Sequence, residues 1–129
     1  MDIIEKATRL HESGFNCAQS VLCACGEYTG LDEATALAVS GGMGGGVRCG
    51  EICGAASGGV MALGACAPFN DAGDPGAKTR ISALAAELTR TFKEHFGCIR
   101  CQELKASGHG CPELIAYAAQ LSEKMIKDL

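Results

Sequence analysis

Apolar residues recur along this chain at three- and four-residue intervals, and nowhere do they alternate with polar ones over the length of a strand. Asp2 is placed to N-cap a first helix whose Ile3, Ile4, Ala7 and Leu10 share one face, ending near Ser13-Gly14. Asn16 caps a second, Cys17 to about Tyr28, with a stripe of Ala18, Val21, Leu22 and Cys25, and Gly30 breaks it. Asp32 opens a short third helix that runs through Val39. Six of the ten residues from Gly41 to Gly50 are then glycine, so the backbone there is free to bend and to approach other atoms closely.

The fourth helix, about Glu51 to Ala65, is apolar on every side and so belongs at the centre of the fold. Its glycines cost roughly 1 kcal/mol each in propensity against Ala and offer neighbouring helices a close approach. Pro68 ends it. Asp74-Pro75 pairs an N-cap with proline at the first helical position and starts a fifth helix to about His95. On it Ile81, Leu84, Ala85, Leu88, Phe92 and Phe96 face the core, and Gly97 stops it. Cys98-Ile99-Arg100-Cys101 opens a short sixth helix that ends at Ser107-Gly108. Cys111-Pro112-Glu113 opens the last, with Leu114, Ala118, Leu121 and Met125 inward. The pattern predicts an all-α single domain over 1–129, a bundle of six to seven helices with a Gly-rich loop before a buried central helix.

The run from Ile52 to Phe69 has no charged residue, and ~18 such residues is the lower limit for a membrane span. Its glycines and alanines make it weakly hydrophobic, and no basic cluster flanks it, which favours a core helix and no membrane insertion. The aromatic fraction is 5% with no Trp, so the core must be built from Ala, Leu, Ile, Val and Met. A net charge of −4 supplies no footprint for nucleic acid or an anionic membrane.

Nine cysteines change the picture most. The charged start Met1-Asp2-Ile3-Ile4-Glu5-Lys6 has no signal-peptide core, which predicts a cytoplasmic protein. In a reducing compartment many cysteines point to metal binding or redox chemistry before structural disulfides. Cys17, Cys53, Cys98, Cys101 and Cys111 all fall at predicted helix starts, where partial positive charge and unpaired N–H groups favour thiolate. If those starts converge, they form a low-pKa thiolate cluster that only a metal centre or disulfides would neutralise.

The remaining cysteines read differently. Cys23 and Cys25 lie mid-helix and Cys66 lies late in one, which reads as apolar filler. Cys49 is four residues before Cys53, but Gly50 interrupts any shared helical face. Cys98-x-x-Cys101 fits a metal knuckle or a dithiol, without the βαβ pattern of a thioredoxin. The glycine loop has neither G-x-G-x-x-G at the right offsets nor Gly-Lys-Ser/Thr, which argues against a nucleotide cradle. His109 is the one histidine close in sequence to a candidate ligand, His95 suits a helix C-terminal dipole, and Arg48 and Arg100 flank cysteines whose pKa they could depress. No carboxylate pair stands out as acid and base.

Three segments together carry a family resemblance: Phe15-Asn16-Cys17-Ala18-Gln19-Ser20-Val21, then Gly50-Glu51-Ile52-Cys53-Gly54-Ala55-Ala56-Ser57-Gly58, then Cys101-Gln102-Glu103-Leu104 with Cys111. They resemble the C-GCAxxG-C-C family of putative redox-active proteins, described by four cysteines and a CGAxxG motif, over nearly the whole chain. Cys53-Gly54-Ala55 agrees with the motif and not with the Gly-Cys-Ala of the label. The resemblance places the family's four cysteines at Cys17, Cys53, Cys101 and Cys111, with Cys98 and Cys49 as additional thiols. It also implies a lean toward an iron–sulfur electron carrier.

Three functions follow, in order of preference. The first is an iron–sulfur or other metal centre on Cys17, Cys53, Cys101 and Cys111, serving electron transfer with an unidentified redox partner protein. The second is a thiol–disulfide protein that cycles pairs such as Cys98–Cys101. The third is a structural zinc site built from four cysteines. An electron carrier or metal-binding protein fits these residues better than a stand-alone enzyme. The Gly-rich surfaces and the apolar central helix suit a homodimer.

Overall fold

The computed structural model describes residues 1–129 as eight α-helices and one irregular π-type turn. Helix α1 spans Ile3–Glu12, and the Asp2 carboxylate accepts the Glu5 N–H at 2.8 Å, as its N-cap position requires. Helix α2, Cys17–Ala24, starts with a capping box in which the Asn16 side chain accepts the Gln19 amide and the Gln19 side chain accepts the Asn16 amide.

The expected single helix from Cys17 to Tyr28 is two helices. At Cys25 the backbone leaves helical geometry (φ −84°, ψ 9°) and its N–H reaches back three residues, to the Leu22 carbonyl, tightening the last turn. The one-turn α3, Gly26–Thr29, then changes direction and ends on a left-handed Gly30. Helix α4, Glu33–Ser40, is capped by Asp32, which accepts from both the amide and the hydroxyl of Thr35. Those two bonds hold the Asp32 carboxyl below its ordinary pKa.

Helix α5, Gly54–Cys66, is the central element, packed against α2 and against the later helices α6 (Pro75–Phe96) and α8 (Cys111–Lys127). Its first half is buried throughout, which confirms the reading of an all-round apolar helix as core. It begins three residues later than its pattern suggested. A Cβ at Gly58 would lie 2.6 Å from the Ala18 carbonyl oxygen, so glycine here sets how close α2 comes. No helix is long and apolar enough to cross a membrane.

Asp74 caps α6 through the Ala77 N–H, and Gly97 closes it in the left-handed region. The sixth predicted helix is shorter than expected: α7 is Cys101–Ala106, and Cys98 lies outside it in the incoming loop. The only strand-like pairing is an isolated antiparallel bridge between Ile52 and Arg100. Leu22, Leu63, Leu88, Phe92, Leu104 and Ile115 are fully buried and form the centre of the core. Phe92 is the one aromatic among them, consistent with the low aromatic content.

Candidate functional site

Four helix starts meet beside the glycine loop. Cys17 is the first residue of α2, Cys53 the N-cap of α5, Cys101 the first residue of α7 and Cys111 the first of α8. The bridge at Ile52–Arg100 ties two of them together: the Cys53 N–H donates to the Ile99 carbonyl at 2.8 Å, and the Cys101 N–H to the Glu51 carbonyl at 2.6 Å. Cys17 joins them through α5. A Cβ at residue 54 would lie 2.5 Å from the Cys17 Sγ and 3.0 Å from the Met43 carbonyl oxygen, so only glycine lets that sulfur reach the start of α5. This contact explains the glycine of the Cys-Gly-Ala motif.

Charge on Cys17 or Cys101 raises the Cys53 thiol, and charge on the same two raises Cys111. The four cysteines therefore lie within electrostatic reach of one another. No three His, Cys, Asp or Glu side chains close on a single ion position. The group is four neighbouring thiols, not a finished tetrahedral cage.

The expectation of a low-pKa thiolate holds for neither Cys53 nor Cys111. Burial pushes Cys53 up to about 11, while the Ala55 and Ala56 amides at the helix start pull the other way. Those amides form no cap hydrogen bond to the sulfur, and loss of water outweighs them. Cys111 is also raised, by burial first and by Cys17 next. At Cys53 and Cys111 the helix starts supply N–H groups, but burial outweighs them.

Each of the other candidates has its own place. Cys98 is buried in the core before α7, and Cys49 is exposed, its S–H donating to the Gly46 carbonyl at 3.3 Å. Arg100 binds Glu51 through Nε (3.0 Å) and Nη2 (3.1 Å) and Glu103 through Nη1, so carboxylates and not thiols take its charge. His109 contacts Glu113 at 2.6 Å and the Phe96 ring edge-on, and His95 stacks on Tyr117. His95 therefore serves an aromatic cluster beyond the helix-end role its position suggested.

The glycine loop has a feature that its composition hid. Gly45, Gly46, Val47 and Arg48 are successively left-handed, with φ between 58° and 65°. Glycine adopts this freely, but each of Val47 and Arg48 there costs on the order of 1–2 kcal/mol. The turn is closed by the Glu51 N–H donating to the Gly46 carbonyl and lies against α7, with Gly46 over the Cys101 side chain. No sequence signal marks two non-glycine residues as left-handed.

The family model described as putative redox-active protein (C_GCAxxG_C_C) matches residues 15–125, from just before the Asn16 cap to the last turns of α8. The chain belongs to that family. Neither a curated protein nor a solved structure matches it.

Proposed function

We propose that this member of the redox-active C_GCAxxG_C_C family holds an iron–sulfur cluster on Cys17, Cys53, Cys101 and Cys111 and works as an electron carrier. The observation that carries this reading is that four cysteines, each from a different helix start, neighbour one another, with Cys17, Cys53 and Cys101 buried and Cys111 half-buried. Ligation by four cysteines suits both [2Fe–2S] and [4Fe–4S] centres. A single structural zinc would also take four cysteines, with each sulfur at about 2.3 Å from the ion.

When bound, such a centre supplies reversible one-electron transfer. The chain supplies the rest. Each thiol must lose its proton to become a ligand, and with Cys53 at about 11 and Cys111 raised, loading releases protons and strengthens as pH rises. The Ala55 and Ala56 amides face the Cys53 sulfur and favour its charged form. The left-handed turn and α7 cover the site on one side, limiting water.

The test is anaerobic reconstitution with iron and sulfide, followed by iron and sulfide analysis and a visible spectrum. We expect at least two irons per chain with broad absorption, both lost in Cys53→Ser. A colourless protein holding one zinc, or a metal-free protein whose Cys98–Cys101 pair cycles reversibly in redox buffer, would overturn the reading.

A further inference from the structure

A second group of thiols lies where α2 and α5 end. Cys25 is completely buried at the point where α2 stops, and Cys66 is the half-buried last residue of α5. One turn of chain connects their surroundings. The Tyr28 N–H donates to the Cys25 carbonyl at 2.9 Å, and the Tyr28 carbonyl accepts the Cys66 S–H at 3.5 Å. Tyr28 is itself fixed, its hydroxyl donating to Glu123 of α8 at 2.8 Å. Neither cysteine is among the four that the family motif describes.

We propose that Cys25 and Cys66 form a redox-active dithiol, closing to a disulfide that ties the end of α2 to the end of α5. The packing favours this pair over the neighbouring one. Cys23 lies in the last turn of α2, two residues before Cys25, and its charge is the weakest of those that Cys25 feels. Cys23 feels the charge of Glu33 on α4, whereas the charge that Cys25 feels most is that of Cys66. Glu123, Lys6 and, least of all, Cys23 complete the ionisable surroundings of Cys25. Both backbones also leave helical geometry here, at Cys25 itself and at Ala67 (φ −129°, ψ 67°), so a continuous helix fixes the backbone on neither side of the pair.

The oxidant is a low-molecular-weight disulfide. Cys66, the more open thiol, attacks it as thiolate and releases one thiolate, leaving a mixed disulfide on Cys66. Cys25 then attacks the Cys66 sulfur and releases the second. The two protein protons end on the two released thiolates, so one disulfide is consumed, one is formed and two small thiols are produced. Burial makes thiolate scarce at both positions, so closure is slow at neutral pH and quickens as pH rises. The bond would enclose residues 26–65, including the glycine loop and Cys53.

The experiment incubates the metal-free full chain with oxidised glutathione under argon, blocks remaining thiols with N-ethylmaleimide, and maps links by peptide fragmentation. The expected result is a Cys25–Cys66 link and a melting temperature raised by about 10 °C. Cys25→Ser should stop the reaction at a glutathione adduct on Cys66, and Cys66→Ser should leave Cys25 reduced. Should Cys25→Ser fail to fold, Cys25→Ala carries the same expectation. Cys25 remaining reduced in the wild-type chain, or a Cys23–Cys66 link in its place, overturns the proposal. Iron binding by Cys25→Ser is expected to be unchanged, which keeps this test separate from that of the cluster.

Discussion

The same residue type does different work at the two ends of α2 and α5. At their starts, Cys17 and Cys53 sit among helix N-termini, with Cys101 and Cys111 contributed by two more. At their ends, Cys25 and Cys66 sit beside helix carbonyls, and the Cys66 S–H donates to one of them. Free N–H groups at a helix start suit a sulfur that accepts, and free carbonyls at a helix end suit one that donates. Burial raises thiols in both places, Cys53 to about 11 and Cys25 to about 12. What separates the regions is therefore the polarity of the backbone around them, N–H groups at one and carbonyls at the other.

The strongest way to break this contrast is at Gly54. Gly54→Ala drives a methyl onto the Cys17 sulfur and the Met43 carbonyl, both held by backbone elements. Overpacking of this kind costs on the order of 1–3 kcal/mol, and it should also remove metal binding by parting Cys17 from Cys53. Gly64→Ala, on the same helix with nothing within 4 Å, is the control and should be neutral or stabilising by up to about 1 kcal/mol. Urea unfolding of the two variants compares them directly; equal destabilisation would show that the Cys17–Gly54 contact is not what fixes the site.

An alkaline titration tests the thiols of both regions together. Cys25 and Cys53 have folded values of about 12 and about 11, above the ordinary thiol value of 9.0. A raised acid contributes stability that is complete below its unfolded pKa and is lost as pH rises through the folded one. The metal-free protein should then keep its stability to about pH 9 and lose it progressively towards about pH 11 to 12. Thermal melts across that range check it, and Cys25→Ser should flatten the loss. A stability that stays level across the whole range would mean that neither thiol is buried as described.

A smaller effect isolates the cap that presents Cys17. Asn16→Ala removes the capping box and the bond from Asn16 Nδ2 to the Gly41 carbonyl at 2.9 Å. It should cost roughly 1–2 kcal/mol in urea unfolding and lower metal occupancy, because the same side chain joins α2 to the glycine loop. Loss of stability with full occupancy would make the cap structural only.

Much of this was legible in the chain because it rests on local chemistry. The caps at Asp2, Asn16, Asp32 and Asp74 are short-range hydrogen bonds between neighbours in sequence, and all four form as their residue types require. The central place of α5 followed from its all-round apolar character. The break at Cys25 has a signal in Gly26, which follows it at the position where glycine commonly ends a helix, but the apolar stripe running on to Cys25 masks it. Thiol protonation was not legible: helix-start amides are visible in sequence, but the dryness that outweighs them is a property of the assembled core. The convergence of four helix starts depends on long-range pairing, above all the Ile52–Arg100 bridge, which has no periodic signature.

That bridge sets the last and smallest prediction. Arg100 pairs with Glu51 across it, but the side chains are 41% and 53% exposed, so water and salt screen the attraction. Exposed pairs of this kind contribute little, whereas the two backbone bonds beneath, Cys53 to Ile99 and Cys101 to Glu51, do not depend on either side chain. Glu51→Gln should therefore leave urea unfolding nearly unchanged, with any small loss fading at about 0.5 M salt, and leave the proposed metal binding intact. A larger loss, or a loss of metal, would place the cohesion of the cysteine end in its surface charges instead of its backbone.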